Sequence, residues 1–543
     1  MAYIIFLIAI AAYLFYKWSI LTYKYFERQE IPFRKPVPLF GTNINLITRK
    51  KNFMDTLDEW YNEFPNEKVT GLFEFRKPLV LIKDPKIAKL IAVKDFDYFM
   101  DHRSVITEDI DPLFGKALVS LRGQKWKDMR ATLSPAFTGS KMRQMFDFVS
   151  TVGHQTALSM KEEIKNGNED SFEFKELSIK FAVDVIASCA FGIEVNSFTT
   201  PDNDFHKIAK KLTNFTSTRT ILVFVGYMLF PALMKLTNIK ILDKESCDFF
   251  EEAIIETMRI REEKGIIRHD MIHLLIQARK GQLTHQNNQE SNANDKSSDG
   301  FATVEESSVG KSEVTRKWED LDLAAQAFIF FLAGFDTIAT AMSFMAYELV
   351  CNRDVQQKLY QEIYEMNQEL DGKKITYEKI QSMKYLDQTV SEALRKWPPA
   401  PVGFEMFMKS FVTDRKCVKD YDLIFDNKRL HFDTTSSCFI PIWNFHRDPK
   451  YFPNPDKFDP ERFNEENRKN IDPDTYLPFG IGPRNCIGSR FALMELKTFF
   501  YYLLLNFSFV TAEKTEIPLK FAKIPFNIKP ENGIWVKFRP RND

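Results

Sequence analysis

After Met1 the chain runs through fifteen apolar residues in a row, Ala2 to Tyr16. Past Lys17 the apolar character resumes at Trp18, Ile20, Leu21 and Tyr23, and the basic residues Lys24, Arg28, Arg34 and Lys35 follow. A helix needs ~20 residues to cross a bilayer, a length this segment reaches when the Lys17 amine snorkels to the headgroups. A cleaved leader would begin with basic residues and end in a small-residue site. Here the basic residues come after the apolar run. The pattern predicts a retained anchor over residues 1–25, with the rest of the chain on the cytoplasmic side. Pro32, Pro36, Pro38 and Gly41 make residues 26–41 a stiff linker, followed by a body over 42–543.

Within the body, residues 69–82 are rich in β-branched and aromatic side chains and predict a hairpin broken at Lys77–Pro78. Beyond Pro85 the apolar spacing is helical, with long segments near 140–165, 172–192, 245–280, 316–351, 353–370 and 376–396. Loops rich in Pro and Asp fill 440–485, a last helix runs from about Ile487 to Leu505, and the tail 507–540 alternates as strands do. The sum is a mainly α body with a small β portion. Residues 281–315 are polar and predict a disordered surface loop. Residues 218–242, strongly apolar around Pro231, fit a buried helix pair or a surface element that dips into a bilayer and admits lipophilic molecules.

Composition narrows the classes. The 543 residues are 44% hydrophobic with 51 Phe, enough for a large core and an apolar pocket. Seventy-four basic residues balance seventy-four acidic ones, so nothing calls for nucleic acid. The six cysteines are scattered without a C-x-x-C pair, which excludes a disulfide framework and fits a reducing compartment. The eight histidines lack ligand spacing; His269 and His273 share a helix face, where solvent exposure is the simpler reading than a metal.

The stretch from Phe479 to Gly488, FGIGPRNCIG, reads F-x-x-G-x-R-x-C-x-G and runs directly into a helix. Five specified positions in ten are far stricter than a lone glycine motif. A thiolate just before a helix N-terminus is favoured by the helix dipole, and Gly482 and Gly488 allow backbone N–H groups to approach the sulfur and tune a metal–sulfur bond.

On these residues the chain resembles the cytochrome P450 family over nearly its whole length. It is most similar to the microsomal, xenobiotic-oxidising branch, especially insect family-nine members. The resemblance implies the cytochrome P450 fold, haem b with its iron held by Cys486, Phe479 shielding the sulfur, and Arg484 pairing with a propionate. It implies O2 as cosubstrate, electrons from NADPH through a cytochrome P450 reductase with cytochrome b5 as a further partner, a lipophilic small-molecule substrate, and placement on the endoplasmic reticulum membrane.

Other motifs follow in the family's order. Ala333–Thr337 (AGFDT) lies in the apolar helix that crosses above the haem; Asp336 and Thr337 resemble its proton-delivering acid–alcohol pair. Gly334 and Thr337 are expected to loosen the helix there. Trp126 and Arg130, four apart on one helix face, match the pair that meets a propionate. Glu392 and Arg395, with Arg462, match a buried structural network. Lys125, Lys127 and Lys497 are candidates for a basic surface facing the reductase. After Arg395 the loop is about ten residues longer than the family pattern, over roughly 402–411, and Arg415 would be the next haem-contacting arginine. Rival readings are an O2-independent isomerase of the same fold and a non-catalytic haem or lipophile binder disabled by that insertion.

Overall fold

The computed structural model describes residues 1–541 except 104–105, 168–170, 202, 213–217, 238, 241, 243, 283–299, 400–413 and 524–527. The first helix, α1 (Ala2–Ile20), is apolar and exposed along nearly all its length, with only Ser19 buried. Strands β1 (Val69–Glu74) and β2 (Lys77–Ile82) form the expected hairpin, pairing Val69 with Ile82 and Glu74 with Lys77. The reversal falls at Phe75, with φ of 52°, and Arg76, not at Lys77–Pro78. Pro78 sits inside β2, just before the Leu79–Leu81 stretch that pairs with β7 (Ser437–Phe439), so it costs that ladder nothing.

The helical body follows: α2 (Gly123–Leu133), α3 (Gly139–Lys165), then strand β3 (Ser171–Glu173) and α4 (Phe174–Ile186). Next come α5 (Thr218–Leu229), α6 (Pro231–Leu236), α7 (Lys244–Glu263) and α8 (Met271–Arg279). The single helix expected over 245–280 is thus two, because Asp270 caps α8 afresh by accepting from His273 N. The long helix α9 (Asp320–Cys351) starts from a capping box of Glu319 and Asp322. It is apolar nearly all round and therefore buried, packed chiefly on α4. Helices α10 (Arg353–Leu370), α11 (Lys384–Lys396) and α12 (Ser489–Asn506) complete the body. The mainly α fold with its small β portion is as expected. Strand β4 (Asp414–Lys416) joins β1, β2 and β7 in one sheet; β5 (Tyr421–Phe425) and β6 (Lys428–Phe432) pair alone; β9 (Trp535–Pro540) lies between β3 and β8 (Phe507–Thr511) and pairs with both. One hydrophobic core lies among the helices and a second under the β1–β2 hairpin.

Two polar or ambiguous stretches gain a definite form. Helices α5 and α6 make a surface element: Tyr227 is buried, while Leu222, Leu233 and Leu236 face outward. Phe230 stacks on Trp18 at the end of α1, with ring centroids 6.0 Å apart. In the segment read as a disordered loop, residues 283–299 fall outside the described set, but residues 300–315 pack on the body. Ala302 is buried and Phe301 lies against the rings of Phe463 and Tyr476. A few well-placed apolar residues offset a composition that is polar on average. The stretch 402–411 lies outside the described residues.

Candidate functional site

The cysteine loop is set by its own backbone. Cys486 N donates to Phe479 O at 2.9 Å and Asn485 N to Gly482 O at 2.9 Å, which leaves Cys486 two residues ahead of Gly488, the N-cap of α12. Gly480 and Gly482 take φ of 80° and 75°, a region that favours glycine. A Cβ on Gly482 would fall 2.0 Å from the carbonyl oxygen of Ala92, so this glycine serves close packing of the loop. Gly488 differs: a Cβ there would meet only the Phe137 ring, at 3.9 Å.

The loop and α9 together line a cavity of about 250 Å³. Cys486, Phe479 and Gly488 line it from the loop; Ala333, Gly334 and Thr337 line it from α9; Trp126, Arg130 and Arg484 join them. The structure therefore brings together most of the residues singled out in the sequence. Gly482, Asp336 and Arg415 stand behind this lining. Asp336 is nearly buried, with its carboxylate 2.9 Å from Lys175 Nζ. Arg415 is buried and donates to the carbonyls of Asp414 (2.8 Å) and Ile481 (3.0 Å), tying β4 to the cysteine loop.

Helix α9 is not loosened at Gly334 and Thr337; helical hydrogen bonding runs unbroken from Asp320 to Cys351. The Thr337 hydroxyl donates to Ala333 O, four residues back, at 2.7 Å. Gly334 is where α4 crosses, since a Cβ there would lie 2.6 Å from Ile186 Cδ1.

The polar lining is strongly cationic. The Arg484 guanidinium lies 3.9 Å over the Trp126 ring and donates to Met100 O (2.9 Å) and Leu121 O (2.8 Å). Burial, and then the charges of Arg415 and Arg130, pull its pKa well down against the opposing effect of Asp101. The only carboxyl among the described lining residues is Glu495 on α12. It is fully buried, neither oxygen has a hydrogen-bond partner among the described residues, and burial pushes its pKa well up, towards the neutral acid.

Sequence reasoning missed His102. It lines the cavity with Nδ1 3.1 Å from both the backbone oxygen and Oδ1 of Asp414. Burial lowers its pKa to about 4, against the hydrogen bond to Asp414, which raises it. Asp414 would be raised by burial, but His102 and Arg103 bring it down to about 2. No local pattern announces a pair 312 residues apart. The structural network is assembled as the resemblance implies: Arg395 Nε donates to Glu392 at 2.6 Å, and Arg462 Nε approaches the same carboxylate at 3.4 Å. His446 extends it to the cysteine loop by accepting from Leu477 N at 2.8 Å. Lys497 departs from expectation. It is fully buried, bonded to Asp387 and Gln381 at 2.9 Å each, because its place on α12 turns it inward. His269 and His273 are part of no metal-binding cluster among the described residues.

A thiol, apolar walls and grouped buried guanidinium groups fit a flat apolar macrocycle bearing two carboxylates, and the open space at Gly488 leaves room beside the sulfur. This donor set defines a haem-thiolate protein. Residues 31–537 match the family model for cytochrome P450. The chain is 41% identical to Probable cytochrome P450 9f2 of Drosophila melanogaster, covering 99% of each chain. It is 43% identical to Cytochrome P450 9e2 of Blattella germanica, covering 99% of this chain and 97% of the relative. The chain belongs to the cytochrome P450 family. It is a haem-thiolate monooxygenase that uses haem b, O2 and electrons passed from NADPH through a reductase to oxidise lipophilic small molecules.

Proposed function

We propose that this chain is a membrane-anchored monooxygenase of the endoplasmic reticulum that faces the cytoplasm and oxidises lipophilic xenobiotics such as insecticides or plant toxins. The observation that carries the reading is that Cys486 and Thr337, from two different elements, line one cavity with Arg484 and Arg130. Bound there, haem b supplies the redox chemistry that divides O2 and inserts one atom into the substrate. Cys486 would hold its iron, the N-terminus of α12 favouring the thiolate. Arg484, Arg130, Trp126 and His102 would receive the propionates, with Arg415 bracing the cysteine loop behind them. Phe479 keeps water from the sulfur. Thr337 and Asp336 would move protons, Lys175 holding the Asp336 carboxylate on its outer side. Ile329, Phe330, Ile338 and Ala341 give the substrate an apolar lining.

The exposed apolar surface of α1 and the outward Leu222, Leu233 and Leu236 support anchoring over residues 1–25, with α5–α6 against the bilayer. Residues 26–41 would act as the linker and 42–543 as the catalytic domain. Lys125 and Lys127, each about three-tenths exposed, would contribute to the surface for the reductase, and cytochrome b5 is a second electron donor for the same surface. The test is turnover of a lipophilic substrate under 18O2 by the protein reconstituted with reductase and phospholipid. Reductase-dependent product carrying one labelled atom supports the reading, and product that is unlabelled or independent of reductase contradicts it.

A further inference from the structure

Residues 300–318 form a strap that runs beside the cysteine loop and is held at both ends. At one end Phe301 N donates to Asp387 at 3.0 Å and the Phe301 ring packs on Phe463 and Tyr476. At the other, Arg316 pairs with Asp128 at 2.7 Å and Trp318 Nε1 donates to Thr132 at 3.0 Å. Between them the strap meets Asn485, the residue before Cys486, whose Nδ2 donates to Glu305 O at 3.4 Å.

Glu306 reaches from this strap to Arg130. Arg130 Nε and Nη2 donate to its two carboxylate oxygens at 3.2 and 2.8 Å. The same guanidinium donates through Nη1 to Asn485 O (2.7 Å) and through Nη2 to Asn485 Oδ1 (2.8 Å). These four bonds leave one of the five guanidinium N–H groups for any other acceptor. Arg130 lines the cavity, so the carboxylate lies one side chain away from it. The side chains are 3% and 17% exposed, so salt screens the pair little.

We propose that Glu306 is a positioning residue for the haem. Through Arg130 it fixes the cavity lining beside Cys486, and its negative charge holds the reduction potential of the iron below the value that Arg130 alone would give. The inference rests on the haem-thiolate reading above. A nearby negative charge opposes arrival of an electron, and a bidentate carboxylate competes with a propionate for Arg130. Both effects act in the same direction. The strap would thus set how readily the first electron is accepted, a role for a segment whose composition alone reads as featureless.

The test is spectroelectrochemical titration of the full-length holoprotein, with the reduced, CO-bound spectrum recorded beside it. Glu306→Gln keeps the side-chain shape and removes the charge; its midpoint is expected to shift upward and to keep that shift at high salt. Glu305→Gln, the same charge change on the exposed neighbour, is the control and is expected to leave the midpoint in place. Glu306→Asp draws the carboxylate back by one methylene and is expected to give a smaller rise; it is read in the same way if Glu306→Gln does not retain haem. A midpoint unchanged in Glu306→Gln, or equal shifts in all three variants, overturns the inference while the thiolate band of the wild type upholds the reading beneath it. A wild type without that band removes both.

Discussion

Lys175 Nζ lies 2.9 Å from the Asp336 carboxylate, with the lysine side chain 26% exposed and the aspartate 11%. The ion pair links α4 to α9 directly beside Thr337, so a group that can exchange protons with solvent touches the acid next to the cavity. Asp336→Asn keeps the shape and removes the acid. NADPH-driven product formation is expected to fall roughly 100-fold or more, with a larger solvent deuterium isotope effect and an unchanged CO-bound spectrum. An unaltered isotope effect would separate Asp336 from proton transfer.

The His102–Asp414 pair predicts acid lability in a defined window. The folded state lowers His102 from 6.5 to about 4, so it favours the neutral ring. The stability this contributes is complete above the unfolded value and is lost as pH falls from 6.5 through about 4. Asp414, lowered from 3.8 to about 2, adds loss only below that window. In denaturant titrations the stability that the wild type holds over a His102→Gln variant is expected to be level above pH 6.5 and to fall by on the order of 3 kcal/mol by pH 4. A variant with the wild-type profile would assign the fall to other groups.

Gly482 and Gly488 should respond differently to one added methyl. Gly482→Ala forces a Cβ to within 2.0 Å of the Ala92 carbonyl at a φ of 75°. It is expected to cost on the order of 2–3 kcal/mol and to deplete haem. Gly488→Ala meets nothing nearer than 3.9 Å. It should fold as stably as the wild type while its methyl intrudes on the space beside the sulfur, lowering haem occupancy. Thermal unfolding and haem content of the two purified variants check this, and equal losses of stability would contradict it.

What the sequence disclosed was local. The Phe479–Gly488 motif, the periodic apolar helices and the β1–β2 hairpin depend on neighbours within a turn or a strand, and their existence reads directly from the chain, though the turn at Phe75–Arg76 and the helix break before Asp270 do not. Long-range partners were hidden. His102 gains its role from Asp414, Asp336 from Lys175, and Arg130 from Glu306. A charged side chain on an amphipathic helix is usually solvated, which is why Lys497 reads as a surface residue; Asp387 supplies it with a buried partner instead. Composition averages over a segment, whereas a few contacts decide whether it packs, and so the packing of residues 300–315 is not legible in their polarity.

The central claim, that Cys486 holds the haem iron as a thiolate, is tested most directly by the reduced, CO-bound difference spectrum of the full-length protein and of Cys486→Ser. A strongly red-shifted Soret band in the wild type that disappears in Cys486→Ser is the predicted result. A wild-type band at the ordinary haem position, or a red-shifted band that survives the substitution, would contradict it.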